Sequence, residues 1–158
     1  MAENMRRFAH QKSRAMSRDE AEHFLEGHSY GRLGLCLEGE PYVVPVAYGY
    51  ARGRIYFHSA KQGRKLDFIR GNSRVCFQVD EWREGWGSVI CYGRAELSED
   101  AAAKKKCFEL LTGQELSEEH LREVKACIGI IVVEEVTGRC SADFSPGGGD
   151  CAGQLCCH

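Results

Sequence analysis

The stretch that decides the fold is Pro41–Ser59, PYVVPVAYGYARGRIYFHS. Its first half, up to Tyr50, is rich in β-branched and aromatic residues, which favour extended strands. Arg52–Gly53 is typical of a hairpin turn, and Arg54–Ser59 is the returning strand. Pro45 cannot donate a hydrogen bond to a neighbouring strand, so it predicts an edge or a bulge. The segment therefore predicts an antiparallel hairpin that is open or irregular at Pro45.

Other segments extend this pattern on both sides of the hairpin. Leu33, Leu35 and Leu37 alternate with small or polar residues, and this period of two is typical of a strand. The remaining predicted strands are residues 74–81, 88–97 and 128–136. The predicted helices are residues 18–26, residues 64–70, a segment between Ser98 and Gly113, and a segment from Ser117 to about Ala126. Six strands in hairpin succession predict a mainly β fold, a six-stranded antiparallel barrel with peripheral helices.

The composition predicts one soluble domain followed by a tail. The chain has 158 residues, of which 43% are hydrophobic and 28% charged, and its formal net charge is −2. These values argue against general binding to nucleic acid or to a membrane surface. The N-terminus lacks the apolar segment of a signal peptide, and no apolar run reaches the ~20 residues that span a bilayer, so we expect a cytoplasmic protein. Residues 1–136 are the predicted domain, and residues 137–158 are a tail rich in glycine and cysteine.

Nine cysteines fall into two groups, and the missing signal peptide favours free thiols over disulfides. Five lie in apolar segments, where we expect small buried hydrophobic residues: Cys36, Cys76, Cys91, Cys107 and Cys127. The tail carries Cys140 and the metal-ligand candidates Cys151, Cys156, Cys157 and His158. Their spacing is not that of a zinc finger, which favours a disordered thiol-bearing tail over a metal site.

A cluster of cations stands where the second helix is predicted to begin. Lys61, Arg64 and Lys65 surround Gly63, although the positive end of the helix dipole disfavours cations there. The preceding strand ends in His58–Ser59, and both side chains can donate a hydrogen bond to an oxyanion. Glycine, free backbone N–H groups and cations at a helix N-terminus together outline a phosphate site. The alternative is a solvated basic turn.

The order of these motifs resembles a known family. PYVVPVAYGY, the hairpin, IYFHSAKQGRK, RVCFQVDE and GWGSVICYGRAEL follow one another as in the pyridoxamine-phosphate-oxidase-like flavin-binding split barrels. The resemblance covers Met5 to Val136 and is strongest to the nitroimidazole-resistance type of flavin-nucleotide-binding protein. It implies a six-stranded antiparallel split barrel of the FMN-binding type, usually a homodimer with flavin at the subunit interface. FMN is the expected cofactor, and FAD is the alternative.

The resemblance also assigns roles to individual positions. Four residues match the strand that lies along the isoalloxazine ring, with plain barrel core as their alternative: Val43, Val44, Pro45 and Val46. The other matched positions are Phe57, His58 and Ser59 beside the ribityl chain and phosphate, Arg64 and Lys65 on the phosphate, and Ser88 facing the flavin. The oxidases proper tend to have glutamine at the last position and serine at Gly63. These departures argue against pyridoxamine-phosphate oxidation by this chain.

Together with the phosphate-like loop, the resemblance implies a flavin-dependent oxidoreductase. It would carry two electrons from a reduced nicotinamide to a small electrophile such as a nitroaromatic or a quinone. His58 is a candidate general acid, and the alternative is that it only donates a hydrogen bond to the phosphate or to the backbone. Two other functions stay open: a non-catalytic flavin or haem store or sensor on the same fold, and a metal-binding interaction protein that uses the Cys/His tail.

Overall fold

Eight strands and four helices make up the part of the chain that the computed structural model describes, residues 12–83 and 85–146. The strands are β1 (Ser13–Ala15), β2 (Tyr30–Leu37), β3 (Glu40–Ala47), β4 (Gly49–Ala51), β5 (Arg54–Ser59), β6 (Arg74–Trp82), β7 (Trp86–Ser98) and β8 (Cys127–Ser141). The helices are α1 (Arg18–Glu26), α2 (Arg64–Gly71), α3 (Ala101–Thr112) and α4 (Glu118–Glu123). None of the described helices is long and apolar enough to cross a membrane.

All strands pair antiparallel in one sheet, in the order β3-β2-β6-β7-β8-β5-β4, and β1 pairs with β8. This confirms the mainly β, antiparallel fold class predicted from the sequence. The strand count is eight rather than six, because β1 was not predicted and the predicted strand 41–50 is divided into β3 and β4. Among the described residues β3 pairs only with β2, so the prediction that Pro45 marks an edge strand is confirmed.

Tyr48 is the point at which the chain passes from one end of the sheet to the other. β3 pairs with β2 up to Ala47, and β4 pairs with β5 from Gly49 onward. The Tyr48 side chain is almost fully buried and donates a hydrogen bond of 2.7 Å to the Leu25 carbonyl of α1. One residue thus joins the two end strands, and no ladder connects them in the described part of the chain. The sheet therefore curls into a barrel that stays split along β3.

Alternating side chains fill the interior of this barrel. Fully buried core residues come from β2, β5, β6, β7 and β8, and they include Leu33, Phe57, Phe77, Val79, Val89 and Ile131. Helix α3 covers a smaller cluster on the other face of β5, formed by Tyr56, Cys107 and Ile128. The period of two along β5 therefore assigns its side chains to two separate environments.

The capping box predicted at the start of α1 is present. Ser17 Oγ accepts a hydrogen bond of 3.2 Å from the Glu20 backbone N–H, and the Glu20 carboxylate accepts one of 2.7 Å from the Ser17 N–H. The Arg14 guanidinium donates two more hydrogen bonds to the same carboxylate, at 2.8 and 3.0 Å. The bonds from Arg14, followed by those from Ser17, lower the pKa of Glu20 to about 2. The helix start is thus tied to β1.

The last strand is longer than the sequence indicates. The predicted strand ends at Val136, but β8 continues to Ser141 by pairing with β7 and β1. Residues 137–141 of the predicted tail therefore belong to the sheet, and Cys140 is a fully buried thiol within it. The prediction that Cys36 is buried is wrong, because this residue lies on the outer face of β2. The metal-ligand candidates Cys151, Cys156, Cys157 and His158 lie outside the described residues.

Candidate functional site

The cation cluster lies at the first turn of α2, which begins after a glycine. Gly63 has a φ of +139°, a value that residues with a side chain rarely adopt, so the backbone conformation requires glycine here. Its carbonyl accepts hydrogen bonds from the N–H groups of Leu66 at 3.0 Å and Asp67 at 3.1 Å. No side chain in the described part of the chain caps this helix, so its first N–H groups are open to a ligand.

The Arg64 guanidinium lies over two aromatic rings rather than beside a carboxylate. Its central carbon is 4.9 Å from the ring centre of Tyr42 on β3 and 5.4 Å from that of Phe68 on α2. The two rings are 5.3 Å apart and inclined by 55°, so they form a corner around the cation. Among residues 12–83 and 85–146, Arg64 forms no ion pair. Its positive charge is therefore available to a ligand.

Lys65 is the second uncompensated cation, and it is half-buried. Its Nζ lies 5.7 Å from the ring centre of Phe57, a fully buried residue of β5. Burial lowers the pKa of the Lys65 ammonium, because the charged form has lost part of its hydration. No carboxylate among the described residues lies within ion-pair distance of it. A partly desolvated ammonium without an anion marks a position where a bound anion would be stabilised.

Lys61 differs from the other two cations. Its Nζ is 2.6 Å from Glu99 Oε1, in the segment that follows β7. The hydrogen bond and the charge of Lys61 lower the pKa of Glu99. The ion pair neutralises Lys61 within the chain, so the structure does not offer this residue to a phosphate as freely as Arg64 and Lys65.

The end of β5 divides its predicted site residues between two faces. Phe57 lies in the barrel interior, and the period of two puts Ser59 on the same side. His58 lies on the opposite side, where its ring is 5.5 Å from that of Phe108 on α3 and inclined by 31°. The structure therefore separates His58 from the Phe57–Lys65 contact. Its catalytic role stays a prediction that this placement within one chain does not favour.

The ring-binding residues predicted on β3 also alternate between two faces. Val44 and Val46 point into the barrel, together with Tyr42, whereas Val43 and Pro45 point outward. Because β3 is an edge strand, its backbone groups on the side away from β2 have no strand partner in the described part of the chain. The contact between Tyr42 and Arg64 joins the start of this edge to the start of α2. The structure thus brings the predicted ring strand and the predicted phosphate loop together.

Ser88 lies apart from these residues. It is on the outer face of β7, opposite Asp80 of β6 and Arg139 of β8, and its Oγ accepts a hydrogen bond of 3.2 Å from the Gln78 side chain. Strands β2 and β6 lie between β7 and β3, which corresponds to about 14 Å at the usual strand spacing. Within one chain the structure therefore does not bring Ser88 to the predicted ring strand β3.

The outer face that carries Ser88 exposes several large apolar side chains. Four large apolar side chains on β2, β3, β6 and β7 are 43–73% exposed there: Tyr30, Val43, Trp82 and Tyr92. The Trp82 ring also stacks on that of Trp86 at 5.8 Å across the β6–β7 hairpin. Val43 and Tyr92 border a groove of about 650 Å³ on this face, with Arg74 at its rim. The ion pair between Arg32 and Asp80 lies on the same face, and exposed apolar side chains of this size are typical of a face that a ligand or another protein covers.

Two contributors to this site were missed at the level of sequence. The sequence places Tyr42 on the predicted ring strand without a role toward the cations, and it does not assign Phe68 to either face of α2. Phe68 follows Arg64 by four residues, a spacing that places two side chains on the same face of a helix. That spacing could have predicted the Arg64–Phe68 contact. The Tyr42 contact depends on tertiary structure and left no sequence signal of its own.

Comparison with known proteins identifies the family of the chain. A family model described as pyridoxamine 5'-phosphate oxidase matches residues 17–140. The chain belongs to the pyridoxamine 5'-phosphate oxidase family. This confirms the resemblance drawn from the sequence, and the matched range includes β3, the α2 cations and nearly all of β8.

Three proteins that resemble this chain are known from other organisms. An FAD-binding protein of Mesorhizobium loti is 29% identical, with a TM-score of 0.70 over 82% of this chain and 99% of its own. A protein of Bacteroides thetaiotaomicron named for 5-nitroimidazole antibiotic resistance is 23% identical, with a TM-score of 0.68 over 82% of this chain and 87% of its own. The uncharacterized protein RA0666 of Rhizobium meliloti strain 1021 is 35% identical over 51% of this chain, a match that spans 54% of its own length.

Proposed function

We propose that the protein binds a flavin nucleotide, with the phosphate at the first turn of α2 and the ring along β3. The observation that carries the proposal is the half-buried Lys65 ammonium, which has no acid partner among the described residues. Arg64 and the open N–H groups after Gly63 supply further donors for the same anion. The 29% identical Mesorhizobium protein, described as FAD-binding, supports a flavin as the ligand.

Within the flavins we propose FMN as the preferred ligand. Two uncompensated cations match the charge of a phosphate monoester, which approaches −2 at neutral pH. In FAD the pyrophosphate lies between the riboflavin and the adenosine, so the site would also need room for the adenosine. Mass spectrometry of the flavin released from purified protein tests this choice. FAD as the dominant species would refute the preference for FMN but not the flavin site.

The binding site itself is tested by removing its two cations. Arg64→Ala/Lys65→Ala should weaken FMN binding by about 100-fold or more, since each charge-assisted hydrogen bond contributes about 1.5–3 kcal/mol. Arg54→Ala/Lys106→Ala is the matched control, because both side chains are exposed and the change in net charge is the same. Fluorescence titration of the ligand-free proteins with FMN and with riboflavin, which lacks the phosphate, gives the readout.

Three results of that titration are informative. The proposal requires that the double variant loses FMN affinity, that the control keeps it, and that riboflavin binds all the ligand-free proteins with similar affinity. If the Arg64/Lys65 variant keeps the FMN affinity of the parent, the phosphate is not bound at α2. Equal losses in the variant and the control would mean that general electrostatics, and not this site, attract the ligand.

We further propose a homodimer in which the outer faces of two sheets meet. The exposed side chains of Tyr30, Val43, Trp82 and Tyr92 would be buried there. This arrangement would also explain Ser88, since Ser88 of the partner subunit could approach a flavin that Ser88 of the same chain cannot. Tyr92→Glu should give a monomer with weakened FMN binding in analytical ultracentrifugation and titration, whereas Arg54→Glu should not. A monomeric parent that binds FMN tightly would refute the dimer.

The reaction we propose is two-electron transfer from a reduced nicotinamide to a nitroaromatic or a quinone. A bound flavin supplies the redox chemistry, while the chain holds the phosphate and orients the ring along the β3 edge. The test is anaerobic oxidation of reduced nicotinamide by the FMN-loaded protein, with and without a nitroaromatic or quinone acceptor. Acceptor-dependent oxidation that disappears in Arg64→Ala/Lys65→Ala is the expected result. A loaded protein that transfers no electrons would be a flavin store or sensor instead.

A further inference from the structure

We infer that Tyr42 is a positioning residue that holds the Arg64 guanidinium in the orientation needed to bind the flavin phosphate. The inference rests on the proposed function and gives a role to a side chain to which the sequence motifs assigned none. Tyr42 is half-buried on β3, and its ring lies 4.9 Å from the central carbon of Arg64. This cation–π contact connects Arg64 to the proposed ring-binding strand.

The geometry around Arg64 is that of a fixed corner. Phe68 is 8% exposed and packs into the barrel core, so its ring cannot move freely. Tyr42 meets that ring at 5.3 Å with an angle of 55°, and it also packs against the core. The guanidinium lies within about 6 Å of both ring centres, the range in which a cation is attracted to an aromatic face. A long, exposed arginine is thereby restricted to a small region near the first turn of α2.

Neutral rings suit this role better than carboxylates would. Lys61 and Arg70 are held by acids, with Glu99 at 2.6 Å and Asp67 at 3.5 Å, and their charges are partly cancelled. An aromatic face restricts the side-chain rotamers of a cation but leaves its charge intact. Arg64 is therefore oriented before the ligand arrives, and a phosphate has no acid to displace. Restricting a flexible group in its bound conformation reduces the entropy lost on binding.

The experiment compares two ligands that differ only in the phosphate. Tyr42→Leu should weaken FMN binding about three- to tenfold, the range expected for loss of one cation–π contact, and should leave riboflavin binding unchanged. Tyr42→Phe keeps the ring and should have the same ratio of FMN affinity to riboflavin affinity as the parent. In an Arg64→Ala background, Tyr42→Leu should not change that ratio further, because the group it positions is absent.

The outcomes separate this inference from the proposed function. If Arg64→Ala leaves FMN binding unchanged, the phosphate site itself is wrong. If Arg64→Ala weakens FMN binding but Tyr42→Leu leaves the ratio unchanged, Tyr42 is not a positioning residue and the flavin site stands. An equal loss for FMN and riboflavin in Tyr42→Leu would also refute positioning, since it would indicate a damaged ring strand.

A measurement on the unmodified chain keeps the inference testable if Tyr42→Leu does not fold. In the ligand-free protein, the ring currents of Tyr42 and Phe68 should shift the NMR signals of the Arg64 side-chain protons upfield. Arg54, which has no aromatic contact of this kind among the described residues, is the internal reference. Upfield-shifted Arg64 signals support the positioning role of Tyr42. Arg64 signals at the positions of a freely rotating arginine would overturn it.

Discussion

Gly129 provides the sharpest test of how the barrel supports the proposed site. It lies on β8 directly opposite Phe57, and the Phe57 ring crosses the space where a side chain at position 129 would be. A Cβ at this position would be 2.0 Å from Phe57 Cζ and 2.4–2.5 Å from the two Cε atoms. The same ring lies under the Lys65 ammonium. Gly129→Ala therefore displaces the Phe57 ring beneath Lys65 without changing either Arg64 or Lys65.

The size of the effect follows from the contact distances. Ordinary van der Waals contact begins at 3.4 Å, so the ring or the strand must move by about 1.4 Å. Phe57 is 0% exposed, so no open space receives the displaced ring. Overpacking of this kind costs about 1–3 kcal/mol, which corresponds to a fall of roughly 2–12 °C in Tm for a domain of this size. Alanine by itself would reduce the entropy of the unfolded chain and oppose this loss by about 0.4–1 kcal/mol.

Urea unfolding of the ligand-free variants measures the free energy directly. Gly27→Ala is the matched control: its φ is negative, and its new Cβ would meet only backbone oxygens, at 3.5 and 3.8 Å, so little change is expected. Phe57→Leu in the Gly129→Ala background should recover part of the lost stability, because the shorter side chain leaves room for the methyl group. The reasoning is refuted if Gly129→Ala is as stable as Gly27→Ala, or if Phe57→Leu only adds to the loss.

Three further predictions concern charged and thiol groups. Lys65→Met should stabilise the ligand-free protein at pH 7, because burial disfavours the charged Lys65 ammonium and lowers its pKa. In urea unfolding the gain in the free energy of unfolding should shrink as the pH rises toward 10.5, since the native parent loses the Lys65 charge below that pH. Glu20→Gln should destabilise the protein at pH 7, and its difference from the parent should vanish as the pH falls from about 4.5 to 2, because Arg14 lowers the pKa of this carboxyl to about 2. In thiol-labelling kinetics Cys36, which is exposed, should react well before Cys91, whose thiol is buried with its pKa raised to about 12; faster labelling of Cys91 would contradict the burial.

Local patterns predicted the elements that local interactions determine. α1 begins after its capping box and β5 occupies Arg54–Ser59, both as predicted, because caps and hairpin turns involve neighbouring residues. The break at Tyr48 was missed, because β-propensity does not reveal that a strand changes its partner. The extension of β8 was missed as well, since residues 137–141 become a strand through pairing with β7 and β1.

In the candidate site, too, local patterns were predictable from the sequence and tertiary contacts were not. The loop around Gly63 was predictable, because a glycine followed by cations at a helix start is a local pattern. The neutralisation of Lys61 was not, since its partner Glu99 is distant in the sequence. The side on which His58 lies could have been predicted, because the apolar Phe57 beside it marks the inward face and neighbouring strand residues alternate. The ring corner around Arg64 required the tertiary structure.

The position of β8 in the sheet has a consequence for how the chain is made. β8 is the last strand in the described part of the chain, yet it lies between β7 and β5. Among the described residues the β4–β5 hairpin is hydrogen-bonded to the rest of the sheet only through β8. During synthesis the barrel cannot be completed until residues 127–141 have left the ribosome. Until then, the edges of β5 and β7 stay open to pairing with other chains. The yield of native protein in a cell should therefore depend on how soon this final strand is released.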